Sequence, residues 1–159
     1  METIELKPIG IIRTPYTKPK DMPIQGRFRG DVEGWMELNE EFVPGLQDLD
    51  GFSHLILIYH FHRSDKVEVE GRPYLEDKSH GIFAMRSPHR PNHLGLSIVK
   101  LQRIEGNRVY FTEVDMLDGT PLLDIKPYVE HFDRRDNVKS GWVDEQFSDG
   151  ATPDRTIIS

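Results

Sequence analysis

The sequence predicts an all-β protein, a barrel or sandwich of about seven short strands with minor helix and long loops. Three observations carry that reading. Eleven prolines and thirteen glycines punctuate 159 residues, which suits short strands joined by turns. The apolar segments alternate with a period of two, as half-buried strands do. Finally, Gly106-Asn107 separates two such segments, and a Gly-Asn pair so placed signals a tight hairpin.

The elements follow in order. Residues 3–13, rich in Ile, read as a first strand. Residues 14–30 read as a long loop, broken by Pro15, Pro19, Pro23, Gly26 and Gly30. Residues 31–38 alternate and read as a second strand; 42–49 offer a helix-like turn. Residues 52–61 are the strongest strand. Leu55, Leu57, Tyr59 and Phe61 share one face and Ile56 and Ile58 the other; both faces are apolar, so the strand is expected to be central and buried. Residues 66–69 read as a weak edge strand and 81–86 as another short one. Residues 94–104 and 108–116 form the hairpin around Gly106-Asn107, and 122–125 a last strand. Residues 128–135 suggest a short helix or turn. Beyond Asn137 the chain is polar and reads as a loosely held tail, which divides the chain into a domain over 1–136 and a tail over 137–159.

Composition narrows the function classes. With no cysteine, disulfides, thiolate zinc, iron–sulfur ligation and a cysteine nucleophile are excluded. The start METIELKP lacks the apolar run of a signal peptide. The longest aliphatic or aromatic run, Leu55 to Tyr59, is far short of a bilayer span of about 20 residues. A cytoplasmic protein with no membrane partner is the expectation. The net charge of −7 argues against general nucleic-acid binding. The charge is uneven, however: residues 81–108 hold five bases and one acid, so a local basic face remains open.

The densest chemistry lies in Arg86-Ser-Pro-His-Arg-Pro-Asn-His-Leu-Gly-Leu-Ser97. Pro88 and Pro91 pre-shape this loop, which carries donors at Arg86, His89, Arg90, Asn92 and His93. A solvated proline-rich turn is the plainer reading. Asp118-Gly119 marks a second turn. His60 and His62 share a strand face, as some zinc ligands do, but no spacing demands a metal and none is expected. Dinucleotide, Walker, nucleophile-elbow and zincin motifs are all missing.

Taken together, Ile9-Gly-Ile-Ile-Arg-Thr-Pro-Tyr16, Phe52-Ser-His-Leu55, Gly81-Ile-Phe-Ala-Met-Arg-Ser-Pro-His-Arg-Pro-Asn92 with Gly95-Leu-Ser97, and Asp118-Gly-Thr-Pro121 with Asp124-Ile-Lys-Pro-Tyr128 resemble the TsaA-like family of TrmO-type tRNA methyltransferases. The resemblance runs from about Ile9 to Tyr128 in one order. It implies a single-sheet β-barrel, S-adenosylmethionine as cofactor, a homodimer with the cofactor near the subunit interface, and methylation of N6 of threonylcarbamoyladenosine at position 37 of tRNA.

By matching position, the resemblance implies that the cofactor site draws on Gln25, Gly26 and Arg27; on Phe61 and His62; on Arg86 and Leu96; and on Glu113, Val114, Asp115 and Met116. Arg86 or Arg27 suits the cofactor carboxylate, and Asp115 or Glu113 its ammonium or ribose hydroxyls. Phe61, Leu96 and Met116 suit adenine. His62 and Asp118 are the candidates for removing the proton from the accepting nitrogen. Arg90, Asn92 and Lys126 are candidates for holding the substrate's carboxylate or phosphates. Trp35, Tyr110, Phe111 and Phe132 offer apolar surface for the dimer. Two other classes compete: a cofactor-binding module without catalysis, and a histidine–metal enzyme built on His60 and His62.

Overall fold

The computed structural model describes residues 1–147. Its strands are β1 (Gly10–Arg13), β2 (Glu33–Leu38), β3 (His54–His60), β4 (Glu70–Gly71), β5 (His80–Gly81), β6 (Leu94–Glu105), β7 (Arg108–Thr112) and β8 (Thr120–Pro127), with two short helices, α1 (Glu130–Asp133) and α2 (Trp142–Gln146). Six strands close into one antiparallel barrel in the order β1-β2-β7-β6-β3-β8, while β4 and β5 form a separate two-stranded ladder. The expected single-sheet barrel is therefore present.

Alternation builds the core. On β3, Leu55, Leu57 and Tyr59 point inward and are buried, while Ile56 and Ile58 are half-buried on the outer wall. β3 is central in pairing, bonded to β6 on one side and β8 on the other. Only one of its faces is core. Ile12, Met36, Val99, Val109, Phe111 and Leu122 complete the interior. Gly106 takes φ +60 at the β6–β7 hairpin, the left-handed geometry that such a turn requires.

Several elements differ from expectation. The first strand begins at Gly10, opposite Leu38 at the end of β2; Ile9 still bonds the Leu122 carbonyl and the Asn39 N–H, and the residues before it join no ladder. The turn near Phe42 is a 3-10 segment, Glu40–Leu46, with Pro44 inside it; proline cannot sustain an α-helix there. Residues 66–69 form no strand. After Gly81 the chain turns through Ile82–Ala84, closed by the Met85 N–H on the Ile82 carbonyl. β7 stops at Thr112 because Glu113 adopts φ +64. Phe111 is fully buried, so it offers no dimer surface. Trp35 and Tyr110 lie beneath Arg108 and Arg103.

The expected tail divides. Through Phe147 it lies against the body: the Trp142 indole N–H donates to the Ala84 carbonyl at 2.8 Å, and Phe147 stacks on Phe28. Residues 148–159 lie outside the described residues.

Candidate functional site

The antiparallel registers send one set of connections to one end of the barrel: residues 14–32 after β1, residues 61–93 after β3, and residues 113–119 after β7. Almost every residue expected in the site belongs to these three stretches. Chain reversal at Glu113, through its positive φ, turns Asp115 in toward the barrel mouth.

Asp115 is the centre of a polar cluster. Its Oδ1 accepts from the Ser97 hydroxyl at 2.6 Å and its Oδ2 from the Gly26 N–H at 3.1 Å. The Tyr59 hydroxyl lies 2.8 Å from Ser97 Oγ. Ser97 has one proton and gives it to Asp115, so Tyr59 is the donor in that pair. Burial pushes the Asp115 carboxyl up to about 6, against the lowering effects of its hydrogen bonds and of Arg86. Burial also raises the Tyr59 phenol, with Asp115 adding to the effect. A carboxyl raised by burial and set beside a guanidinium in a barrel mouth is the kind of group that marks a candidate site.

Arg86 stands across the same mouth. Its Nη1 donates to Gln25 Oε1 at 3.0 Å. Gln25 precedes the 3-10 turn Gly26–Arg29, which the Gly26–Asp115 bond anchors. Only glycine fits at position 26, where a Cβ would run into the carbonyl oxygen of Glu113. A guanidinium and a carboxyl thus face one region, joined through a single backbone turn.

His62 and Asp118 also come together. A Cβ at Gly119 would lie 3.9 Å from His62 Nε2, so the imidazole rests over the Asp118–Gly119 turn. Asp118 holds that turn to β1: its Oδ1 accepts from the Thr14 N–H at 3.2 Å and its Oδ2 lies 3.8 Å from Arg13. The His62 ring is pushed down by partial burial, then by the charges of Arg63 and His60. It is a neutral base at pH 7.

The structure does not unite every expected residue. Val114 and Met116 are sealed in the core. Leu96 faces out, opposite Ile58 on the outer wall. Lys126 stands on the outer wall beside Asp124. Arg90 braces the proline loop, with Nη1 2.8 Å from the Met85 carbonyl oxygen. Phe61 packs edge-on against Tyr59; Arg27 and Asn92 are exposed. Sequence reasoning missed Tyr59 and Ser97 as members of the cluster. The buried polar residue on the inward parity of β6 was the available signal. Among the described residues, no three His, Asp or Glu side chains converge as a metal would require.

With this geometry in place, comparison with known proteins is direct. Residues 11–134 match the family described as the tRNA-methyltransferase O N-terminal domain. The chain belongs to that family. Among its relatives, a protein of Pyrococcus abyssi, described as a probable S-adenosyl-L-methionine-binding protein, is 51% identical over 139 residues, covering 87% of this chain and 76% of the relative. The mouse tRNA (adenine(37)-N6)-methyltransferase is 43% identical over 139 residues, covering 83% of this chain but 32% of the mouse protein. The crystal structure of TrmO from Pseudomonas aeruginosa superposes with a TM-score of 0.76 at 34% identity, covering 89% of this chain and 63% of that one. The chain thus spans most of the archaeal relative and about a third of the mouse enzyme. Among the described residues, no helix is long and apolar enough to cross a membrane.

Proposed function

We propose that this chain is an S-adenosylmethionine-dependent methyltransferase acting on N6 of threonylcarbamoyladenosine at position 37 of tRNA. The observation that carries the reading is the opposed pair at the barrel mouth, Arg86 and Asp115, joined through Gln25 and Gly26, in a family whose mouse relative is named a tRNA (adenine(37)-N6)-methyltransferase. S-adenosylmethionine presents a carboxylate and an ammonium on one short chain, and these two charges match that pair. Bound, it supplies an activated methyl group.

This chain's residues then do three things. Arg86 holds the cofactor carboxylate, its orientation set by Gln25. Asp115 holds the ammonium or a ribose hydroxyl, and Phe61 offers an apolar wall for adenine. His62, neutral at pH 7, accepts the proton that the ureido nitrogen must lose. Asp118 positions the turn beneath it. Arg90 retains N–H groups beyond the one on Met85, and with Asn92 it faces the acceptor. Most of the acceleration comes from in-line positioning. Lys126, away from this end, is left out.

The working unit is a cytoplasmic homodimer. Leu94, Leu96 and Ile98 are 38%, 51% and 46% exposed along the outer wall of β6, next to Ile56 and Ile58. That apolar stripe fits a second copy. Sedimentation as a monomer at micromolar concentration would count against it.

Calorimetric titration with S-adenosylmethionine tests the core reading. Saturable binding by the wild type, lost in Arg86→Ala, supports it; no binding by the wild type overturns it. Mass spectrometry of threonylcarbamoyl-modified tRNA after incubation then reads transfer. Tight binding without any methylated nucleoside makes the chain a binding module.

A further inference from the structure

The Arg86–Gln25 hydrogen bond lies at the surface, with Arg86 exposed and Gln25 half-buried, so water competes for its partners. It cannot by itself hold two proline-rich loops in register. The segment around α2 touches both loops from outside. Trp142 stacks on His80 with ring centroids 4.7 Å apart and planes at 13°, and its N–H is bonded to Ala84, two residues before Arg86. At the other end of the segment, Phe147 stacks on Phe28 at 6.2 Å, inside the turn that follows Gln25. Between them, Gln146 donates to Glu76, which also bonds His80. The contacts therefore close a ring: from Gln25 through Phe28 to Phe147, along α2 to Trp142, through Ala84 to Arg86, and back to Gln25.

We infer that Trp142 is a positioning residue of the cofactor site, and that the 141–147 segment straps together the two loops that carry Arg86 and Gln25. This rests on the reading that S-adenosylmethionine binds at that mouth. The ring and hydrogen-bond contacts of Trp142 and Phe147 fall on His80, Ala84 and Phe28. Their effect runs through the loops, by lowering the cost of ordering them when ligand arrives.

The experiment compares the full chain with Trp142→Ala, Trp142→Phe and Phe147→Ala. Hydrogen–deuterium exchange without ligand should show faster exchange over both 22–30 and 80–87 in Trp142→Ala, with the barrel strands unchanged. Calorimetry should show S-adenosylmethionine affinity falling about tenfold. Trp142→Phe keeps the stacking and loses the N–H, so it should recover part of that loss. In a Gln25→Ala background, which removes the other end of the Arg86 bond, adding Trp142→Ala should cost no more than about twofold, because the two substitutions act on one element. Unchanged exchange in both loops overturns the inference, as does a fully additive loss. If Trp142→Ala fails to fold, Phe147→Ala carries the same two tests. Should the wild type bind no cofactor, the functional reading falls, and the exchange result still decides the strap.

Discussion

The two ends of the barrel are built from the same strands on different principles. The end at the Gly106-Asn107 hairpin is closed by local, mostly backbone means. The Leu38 N–H bonds the Asn107 carbonyl, the Asn107 amide returns a bond to the Leu38 carbonyl, and the Asn39 N–H bonds Ile9. Its charges, Arg103 with Glu105 and Arg108 with Glu37, pair on the surface. The opposite end places Asp115, Ser97 and Tyr59 in a low-dielectric cluster and ties long loops together through side chains. Polar groups so placed cost stability unless every partner is present. One end is held by backbone pairing, and the other by side-chain bonds among buried polar groups that must all be kept.

Substitutions break or sharpen that contrast. The largest effect is expected for Gly26→Ala, where the new methyl group must displace the Glu113 backbone. It should cost about 3 kcal/mol in urea unfolding and abolish cofactor binding. Ser97→Ala leaves Tyr59 and Asp115 without their shared partner and should cost about 2 kcal/mol. Gly106→Ala puts a side chain at φ +60 in open space, so about 1 kcal/mol should be lost with cofactor affinity intact. Any loss of affinity there would erase the distinction between the ends. Smallest is Arg103→Ala, an exposed ion-pair change that should leave the urea midpoint almost where it was.

Acidity sharpens it further. The Asp115 carboxyl, pushed up to about 6 in the folded protein, binds its proton more tightly than in the unfolded chain. Its contribution to unfolding free energy is therefore greatest at low pH and is lost as pH rises from about 4 to about 6. Asp115→Asn should remove that slope from urea midpoints measured across the range. Cofactor affinity should run the other way and rise through the same interval, because the ionised carboxylate is the form that meets an ammonium.

Much of the barrel was legible because alternation is a local signal. The central strand and the Gly106-Asn107 hairpin follow from parity and turn chemistry alone. What failed depended on partners far along the chain. Residues 3–8 have strand-like composition, but β2 has already ended where they would pair. Phe111 looked like spare surface and is core. In the site, Gln25, Gly26, Arg86 and Asp115 came from position-by-position resemblance, and direct bonds unite them. Leu96 and Met116 came the same way, yet one faces outward and the other is sealed inside. Position fixes which residues are near; only the register fixes which way they look. The Tyr59–Ser97–Asp115 chain escaped notice because it joins three strands' worth of sequence separation through single hydroxyls.

Barrel closure has a consequence for assembly. Once β1 pairs with both β2 and β8 the sheet closes on itself, and only short stretches of the described barrel keep one unpaired side, among them β6 before Lys100 and β8 after Leu122. Addition of a strand from another molecule, the usual route to runaway sheet growth, meets only those short stretches rather than a long open edge. The proposed dimer uses side chains instead, its fit resting on the few large apolar groups of one wall, Leu94, Leu96 and Ile98. Association of that kind can be tuned, or abolished, by a single charged substitution without touching the fold.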